Sequence, residues 1–265
     1  MGKDTRISWA HHTQNFWIGC TKVSPGCANC YAEAQQDHLY HRVKWGKGNP
    51  RSLTKTWKEP LKWDREAQEK GIRCRVFTNS LSDFFDEEVS EDWRFNAMDV
   101  IKKTPNLDWL ILTKRIQKAH DFLANVIGWP WPNVWVGASI ENQEAVDYRL
   151  PILGRIPAAV HFISAEPLLE AINIRADLIK ATHYSPNTGP EGEVWNHPLD
   201  WVICGGESGE GFRNMRASWA QNLFDQCQAE KVAFFMKQDS SIYNESKGKI
   251  PDGLWNVKEF PKVNL

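Results

Sequence analysis

No run of about 18 consecutive apolar residues exists in this chain, which excludes a transmembrane helix. Its first residues, Met1-Gly2-Lys3-Asp4-Thr5-Arg6, lack the apolar core of a secretory signal, so a cytoplasmic location without a membrane partner is expected. Neither sign of charge dominates. The 32 basic and 33 acidic residues leave a formal net charge of −1, so composition as a whole makes no case for a nucleic acid partner. There is no low-complexity segment, no tandem repeat and no clear linker, and the 265 residues are expected to form one domain. A turn-rich insertion is expected near 183–199, from Tyr184-Ser185-Pro186-Asn187-Thr188-Gly189-Pro190, and an irregular tail over 247–265, where Pro251, Gly253 and Pro261 fall.

Cysteine is scarce, at six residues, yet three of them fall in Cys20-Thr21-Lys22-Val23-Ser24-Pro25-Gly26-Cys27-Ala28-Asn29-Cys30, spaced C-x6-C-x2-C. Three thiolates in one short loop point to a metal site. A structural zinc site usually closes four protein ligands, often as two C-x-x-C pairs, and here there is one such pair. His11 and His12 keep a fourth zinc ligand open as an alternative. Iron–sulfur clusters are held by cysteine thiolates, commonly four. With three, one iron is left to bind a substrate or cofactor. A disulfide reading is weak, because the clustered thiols are odd in number and no secretory signal precedes them. Cys74, Cys204 and Cys227 stand alone, and Cys74 and Cys204 lie in apolar runs, where a free cysteine is usually a small buried hydrophobe.

Short apolar runs recur along the chain, each ending in polar residues: Phe16 to Ile18, Arg75 to Thr78, Trp109 to Leu112, Val134 to Gly137, Val160 to Ile163, Trp201 to Cys204 and Val232 to Met236. Near-continuous apolar runs of this length suit buried parallel strands. Helical spacing appears between them over Glu91 to Lys102, Ile116 to Val126 and Ser218 to Glu230, the last with Ser218 as its N-cap. The alternation predicts an α/β fold, a partial or full (β/α) barrel whose site lies at the C-terminal ends of its strands. An open doubly wound sheet is the alternative.

One segment is locally basic. From Arg42 to Arg75 there are 11 Lys or Arg against 4 Asp or Glu, with Trp45, Trp57 and Trp63 interleaved. Basic groups neutralise phosphates and indoles stack on bases, so the segment is a candidate nucleic acid surface. The alternative is a solvated helix with its aromatics turned inward. Most of the 14 tryptophans are expected in the core.

Several longer motifs carry a resemblance: the cysteine loop with Tyr31-Ala32-Glu33, Asn79-Ser80-Leu81-Ser82-Asp83, Leu112-Thr113-Lys114-Arg115, Ser139-Ile140-Glu141-Asn142-Gln143, Ala165-Glu166-Pro167-Leu168-Leu169 and Gly205-Gly206-Glu207-Ser208-Gly209. In these the chain resembles the bacteriophage Gp37/Gp68 family of three-cysteine-motif proteins. It is also distantly similar to the radical S-adenosylmethionine enzymes, spore photoproduct lyase in particular, although the usual spacing there is C-x3-C-x2-C. The resemblance implies a radical-enzyme type of barrel with a [4Fe–4S] cluster on Cys20, Cys27 and Cys30. It implies S-adenosylmethionine on the open iron, an external electron donor, and a 5′-deoxyadenosyl radical that abstracts hydrogen. Tyr31, Ser80, Lys114, Ser139, Glu141 and Asn142 are the implied cofactor-binding residues. Glu166 and Glu207 are candidate catalytic carboxylates, or structural partners of Lys114, Arg115 or Lys237. Asn79, Asp83, Arg115, Lys237 and Gln238 are candidates for substrate contact, and Cys204 for hydrogen donation to a product radical. Phage association implies a bacterial or phage-infected host cell and a nucleic acid or nucleotide substrate, in DNA repair or modification. The competing expectation is a metal-stabilised module, on zinc or an iron–sulfur cluster, that binds nucleic acid or a protein partner without radical chemistry.

Overall fold

A computed structural model describes residues 2–174 and 198–263. Its centre is one sheet of seven parallel strands: β1 (His12–Gln14), β4 (Cys74–Thr78), β5 (Leu107–Thr113), β6 (Val134–Ser139), β7 (Val160–Ala165), β8 (Trp201–Gly205) and β9 (Ala233–Gln238). Strands stand side by side in sequence order, and β1 and β9 are the two free edges. Sequential order keeps every crossover on one face and curls the sheet into an open half-barrel. That order excludes the doubly wound alternative, whose strand order reverses. The unpaired edges exclude a full barrel.

Six of the expected strands form this sheet, and the seventh does not. Phe16 to Ile18 leaves it: β2 (Trp17–Ile18) pairs antiparallel with β3 (Ser52–Leu53) in a separate two-stranded sheet. The edge place belongs to β1, which pairs with β4 in the register Thr13 beside Phe77. A polar His-Thr-Gln strand carries no apolar run to announce it. It is buried because residues 2–5 fold back along its outer side, where Thr13 N donates to Gly2 O and Thr5 N to His11 O.

Alternation along each strand divides the apolar side chains between two cores. Trp109, Ile111, Val134, Val136, Ile163, Val202 and Phe234 face the helices. Phe77, Leu110, Trp135, Phe162, Trp201 and Phe235 fill the concave side as an aromatic plug, closed below by Trp9. Gly137 makes room for it. A Cβ there meets the Phe162 ring at 2.4 Å, and Phe162 is its neighbour in register.

The outer layer contains α2 (Glu59–Lys70), α3 (Glu91–Lys102), α4 (Ile116–Leu123), α5 (Gln143–Leu153) and α6 (Ala217–Glu230), following a one-turn α1 (Tyr31–Glu33) that runs into a π turn over Ala34–Leu39. α3 takes its expected bounds, with Ser90 accepting from Trp93 N as its cap and Glu91 and Asp92 at the positive end of the dipole. α6 starts one residue earlier than expected. Its N-cap is Arg216, without a side-chain cap bond, and Ser218 lies inside the first turn.

Nearly all of the expected insertion lies outside the described residues. The tail is less irregular than its prolines suggest. It forms α7 (Asp252–Trp255), then bridges the β9 edge through Phe235 and Lys258, with Phe260 on Trp201. Such cover protects an edge strand from pairing with another chain.

Candidate functional site

The concave polar rim above the aromatic plug opens into a cavity of about 980 Å³ at the C-terminal ends of the strands. Cys20, Cys27 and Cys30 all line it, with Tyr31, Ser80, Lys114, Ser139, Ser164 and Glu166. Strand alternation carries some of them here: Ser164 follows the plug residue Phe162 by two places and Lys237 follows Phe235, so both stand on the concave side above the plug. Ser139 and Ser164 sit beside each other in register, and Ser164 was not expected among the site residues.

The cysteine loop is held from three sides. On the first, a buried network of Arg51, Arg115, Asp83 and Asp86 grips its start. Arg51 Nε bonds Asp86 at 2.7 Å and its Nη2 bonds Thr21 Oγ1 at 2.7 Å. Arg115 Nη2 donates to Thr21 O at 2.8 Å and Nη1 to Cys20 Sγ at 3.5 Å, while the same guanidinium pairs with Asp83 at 3.2 Å. On the second side, Arg213 reaches Pro25 O at 3.0 Å while it engages Glu207, and Asn29 Nδ2 donates to Glu207 at 3.0 Å. On the third side, the loop closes against Lys114 and Glu141 at Gly26, where a Cβ stands 3.3 Å from Lys114 Cε and 3.2 Å from Glu141 Cδ.

Electrostatics follow from that burial. Desolvation pushes the Cys20 thiol up to about 12, with Asp83 adding to the rise and Arg115 opposing it. Burial likewise raises Cys30. Both thiols are therefore protonated until a metal displaces the proton. Burial disfavours the charge on Arg115, but Asp83, Cys20 and Asp86 outweigh it and hold the guanidinium above its ordinary value.

Several expected roles give way to these contacts. Asp83 accepts from Thr113 Oγ1, Lys114 N and Arg115, so Asp83 and Arg115 support the loop while both also line the cavity. Glu207, expected as a catalytic carboxylate, has both oxygens on Arg213 and Asn29. Burial acts against its charge, yet these partners hold it below the usual carboxylate range. Glu141 is buried on Arg149 at 2.7 Å and does not line the cavity; Arg149 and Lys114 overcome burial and depress it. Asn142 caps α5 by accepting from Ala145 N. Neither Glu141 nor Asn142 is among the residues that line the cavity. Gln238 is fully buried between Gly206 O and Glu245 N, away from the cavity. Cys204 packs on the helix-facing core and also lies away from it. His11 accepts from Arg75 N and His12 stacks on Trp63, at the other end of β1 from the cysteines, so neither completes a zinc site.

Glu166 does line the cavity, in an ion pair with Lys237. Tyr31 lines it with its hydroxyl donating to Ser80 O at 2.6 Å, and Ser80 Oγ accepts from Asn15. Two donors there have no protein partner. Lys114 Nζ makes no ion pair or hydrogen bond among the described residues, although Lys237, Arg115 and Arg213 all do. Asn79 Oδ1 accepts from Phe16 N, which fixes the amide and leaves the buried Nδ2 unpaired.

Trp45, Trp57 and Trp63 turn inward, so none of them is an exposed platform for a base. Stacking of His12 on Trp63 and the edge-to-face contact of Phe16 with Trp57 account for two of them as packing residues.

As a test of fit, no group of three or more His, Cys, Asp or Glu among the described residues is gathered closely enough to hold one metal ion. A polynuclear cluster sets a different requirement, because each thiolate meets its own iron. Three cysteines lining one cavity, beside the Lys114 ammonium, suit that case.

Comparison with known proteins gives one match. A family model described as a protein of unknown function (DUF5131) covers residues 4–256. No curated protein and no solved structure matches the chain. Since the family model spans nearly the whole sequence, cysteine loop and every strand of the half-barrel included, the chain belongs to the DUF5131 family.

Proposed function

We propose that this chain is a radical S-adenosylmethionine enzyme that holds a [4Fe–4S] cluster on Cys20, Cys27 and Cys30 and acts on a nucleic acid base or nucleotide, in repair or modification of DNA. One observation carries the reading: the three cysteines and Lys114 line the same cavity. When bound, the cluster and S-adenosylmethionine supply one-electron cleavage of the cofactor and abstraction of hydrogen from the substrate, with the electron taken from an external donor. Relationship to the phage Gp37/Gp68 proteins and to spore photoproduct lyase belongs to the same proposal.

The protein's part is to bind, orient and exclude water. Lys114 supplies a positive charge for the cofactor's carboxylate. The Ser139 and Ser164 hydroxyls donate or accept as needed. The aromatic plug below closes the far end of the half-barrel to water. Glu166 and Lys237 stand across the cavity as a polar pair on the substrate side.

Replacing Lys114 with Ala tests the assignment. Loss of a charge-assisted contact, about 1.5–3 kcal/mol, weakens S-adenosylmethionine binding by roughly tenfold or more. Iron content stays unchanged, since Lys114 ligates nothing. Anaerobic calorimetry on the reconstituted variant reads the affinity, and iron analysis reads the cluster content. Unchanged affinity removes Lys114 from the cofactor site.

One observation favours a second reading, a metal-stabilised nucleic-acid or partner-binding module without radical chemistry. Both carboxylates expected to do acid–base work, Glu166 and Glu207, are already paired with cations. Absorption separates the metals: an iron–sulfur protein is brown, whereas a zinc protein is colourless.

A further inference from the structure

We propose that residues 41–58 form a surface that binds the phosphate backbone of a nucleic acid strand and leads it to the cavity. The inference rests on the nucleic-acid part of the function proposed above and gives it a place on the molecule.

Charge is the first observation. Residues 41–58 carry six Lys or Arg and no Asp or Glu, so a chain of formal net charge −1 has −7 on everything else. A polyanion is attracted to this ribbon and repelled by the remainder of the surface. The second observation is pairing. Arg51 is buried on Asp86 and belongs to the loop clamp. Arg42, Lys44, Lys47, Lys55 and Lys58 are all exposed, and none forms an ion pair among the described residues. Two other carboxylates touch the ribbon, and they bond its backbone and none of its cations: Asp37 accepts from Trp45 N, and Glu88 accepts from Gly48 N.

Shape and rigidity are the third. The ribbon is tied down by the buried Trp45, by Asn49 Nδ2 on Trp45 O at 2.8 Å, and by Arg51 Nη1 on Gly46 O and Asn49 O. Fixed cations lose less freedom on binding than a mobile arm. A shallow depression of about 610 Å³ lies along the ribbon, with His41, Arg42 and Lys44 on its wall beside a single carboxylate, Asp37. Beside it the half-exposed Tyr40 ring carries the Arg42 guanidinium at 4.6 Å, a flat surface on which an unpaired base can stack.

Position is the fourth. Gly46 N bonds Cys20 O at 2.9 Å, Arg51 bonds Thr21, and Trp45 lines the main cavity. A strand on the ribbon thus runs beside the cysteine loop at the cavity mouth. Because its tryptophans are buried, the ribbon reads phosphates through its cations, without sequence preference.

Fluorescence anisotropy of a labelled 20-nucleotide single-stranded DNA tests this on the full chain. With four or five phosphates neutralised at about 0.7 each, log K falls against log salt with a slope of about −3. The double reversal Lys44→Glu with Lys47→Glu weakens binding at least tenfold at 50 mM salt and flattens that slope. Lys70→Glu with Lys102→Glu, at the opposite ends of the strands, changes it less than twofold. All four residues are exposed, so an unchanged melting temperature confirms that each variant is folded. No DNA binding by the wild type, or equal losses in both double variants, overturns the proposal. The same titration on Cys27→Ala separates it from the cofactor reading. Binding to DNA persists there if the ribbon carries it, and loss of DNA binding with Cys27 alone overturns the assignment to the ribbon. If instead the ribbon fails while the wild type binds S-adenosylmethionine, the cofactor reading stands and this one does not.

Discussion

Cys27→Ala abolishes iron binding by the reconstituted protein, whereas Cys227→Ala leaves it intact. Both substitutions remove one sulfur, and the difference lies in where each sulfur faces. Cys27 lines the cavity in the loop between Thr21 and Asn29, with Ser24 Oγ 3.8 Å from its sulfur. Cys227 is fully buried on α6, in the core between helix and sheet. Its replacement costs about 1 kcal/mol, the scale of one buried methylene, and does not touch the loop. With two of three thiolates a cluster loses the ligand of one iron. Iron and sulfide analysis after anaerobic reconstitution distinguishes the cases. Equal iron loss in both variants removes Cys27 from the ligand set.

Arg115→Ala lowers the stability of the metal-free protein by about 3–5 kcal/mol, because removing one partner leaves buried charge uncompensated. Arg115 lies in one network with two carboxylates that are themselves almost fully buried, and Arg51 alone remains to balance Asp83 and Asp86 among these four. Total stability of a domain is only about 5–15 kcal/mol, so the effect is large. The variant also frees Thr21 O and the Cys20 sulfur, which loosens the start of the cysteine loop. Urea unfolding at pH 7 measures the loss. Arg115→Lys keeps the charge but not the planar fork, and falls between wild type and Ala. A loss below 1 kcal/mol for Arg115→Ala contradicts the assignment of this network as the loop's support.

The strands were legible where burial on both faces leaves a continuous apolar run. Trp109 to Leu112 and Trp201 to Cys204 are such runs, and both are central strands. β1 was not, since an edge strand covered by the chain's own first residues needs no apolar pattern. Site chemistry was harder to read for one reason. A carboxylate at a strand end looks the same in sequence whether it faces a cavity or a guanidinium. Glu141 meets Arg149 eight residues on, across the first turns of α5, and Glu207 meets Arg213 six residues on. Those arginines, Arg149 within α5 and Arg213 in the loop ahead of α6, are the signal that these two carboxylates are clamped. Asn142, directly before the helix of Gln143–Leu153, had a capping signature open to the same reading. Lys114 differs because the residue beside it, Arg115, takes Asp83 and Asp86, and Lys114 Nζ forms no hydrogen bond or ion pair among the described residues.

Tryptophan content told in the same way. Three indoles among basic residues suggested stacking on bases, yet burial of a large ring outweighs its exposure by several kcal/mol. Trp57 and Trp63 therefore join the core that supports β2 and α2, and Trp45 joins the small apolar cluster on which Cys20 and Cys30 rest. The charges around them stay outside, which is why the basic ribbon survives as a surface while its aromatics do not.

The central claim is that three thiols at one cavity hold a cluster with an open iron. Electron paramagnetic resonance of the anaerobically reconstituted and reduced protein, with and without S-adenosylmethionine, tests it most directly. A [4Fe–4S]⁺ signal that shifts on adding S-adenosylmethionine is the predicted result. A protein that takes up zinc and shows no cluster signal after reconstitution contradicts the account and makes the cysteine loop a structural site.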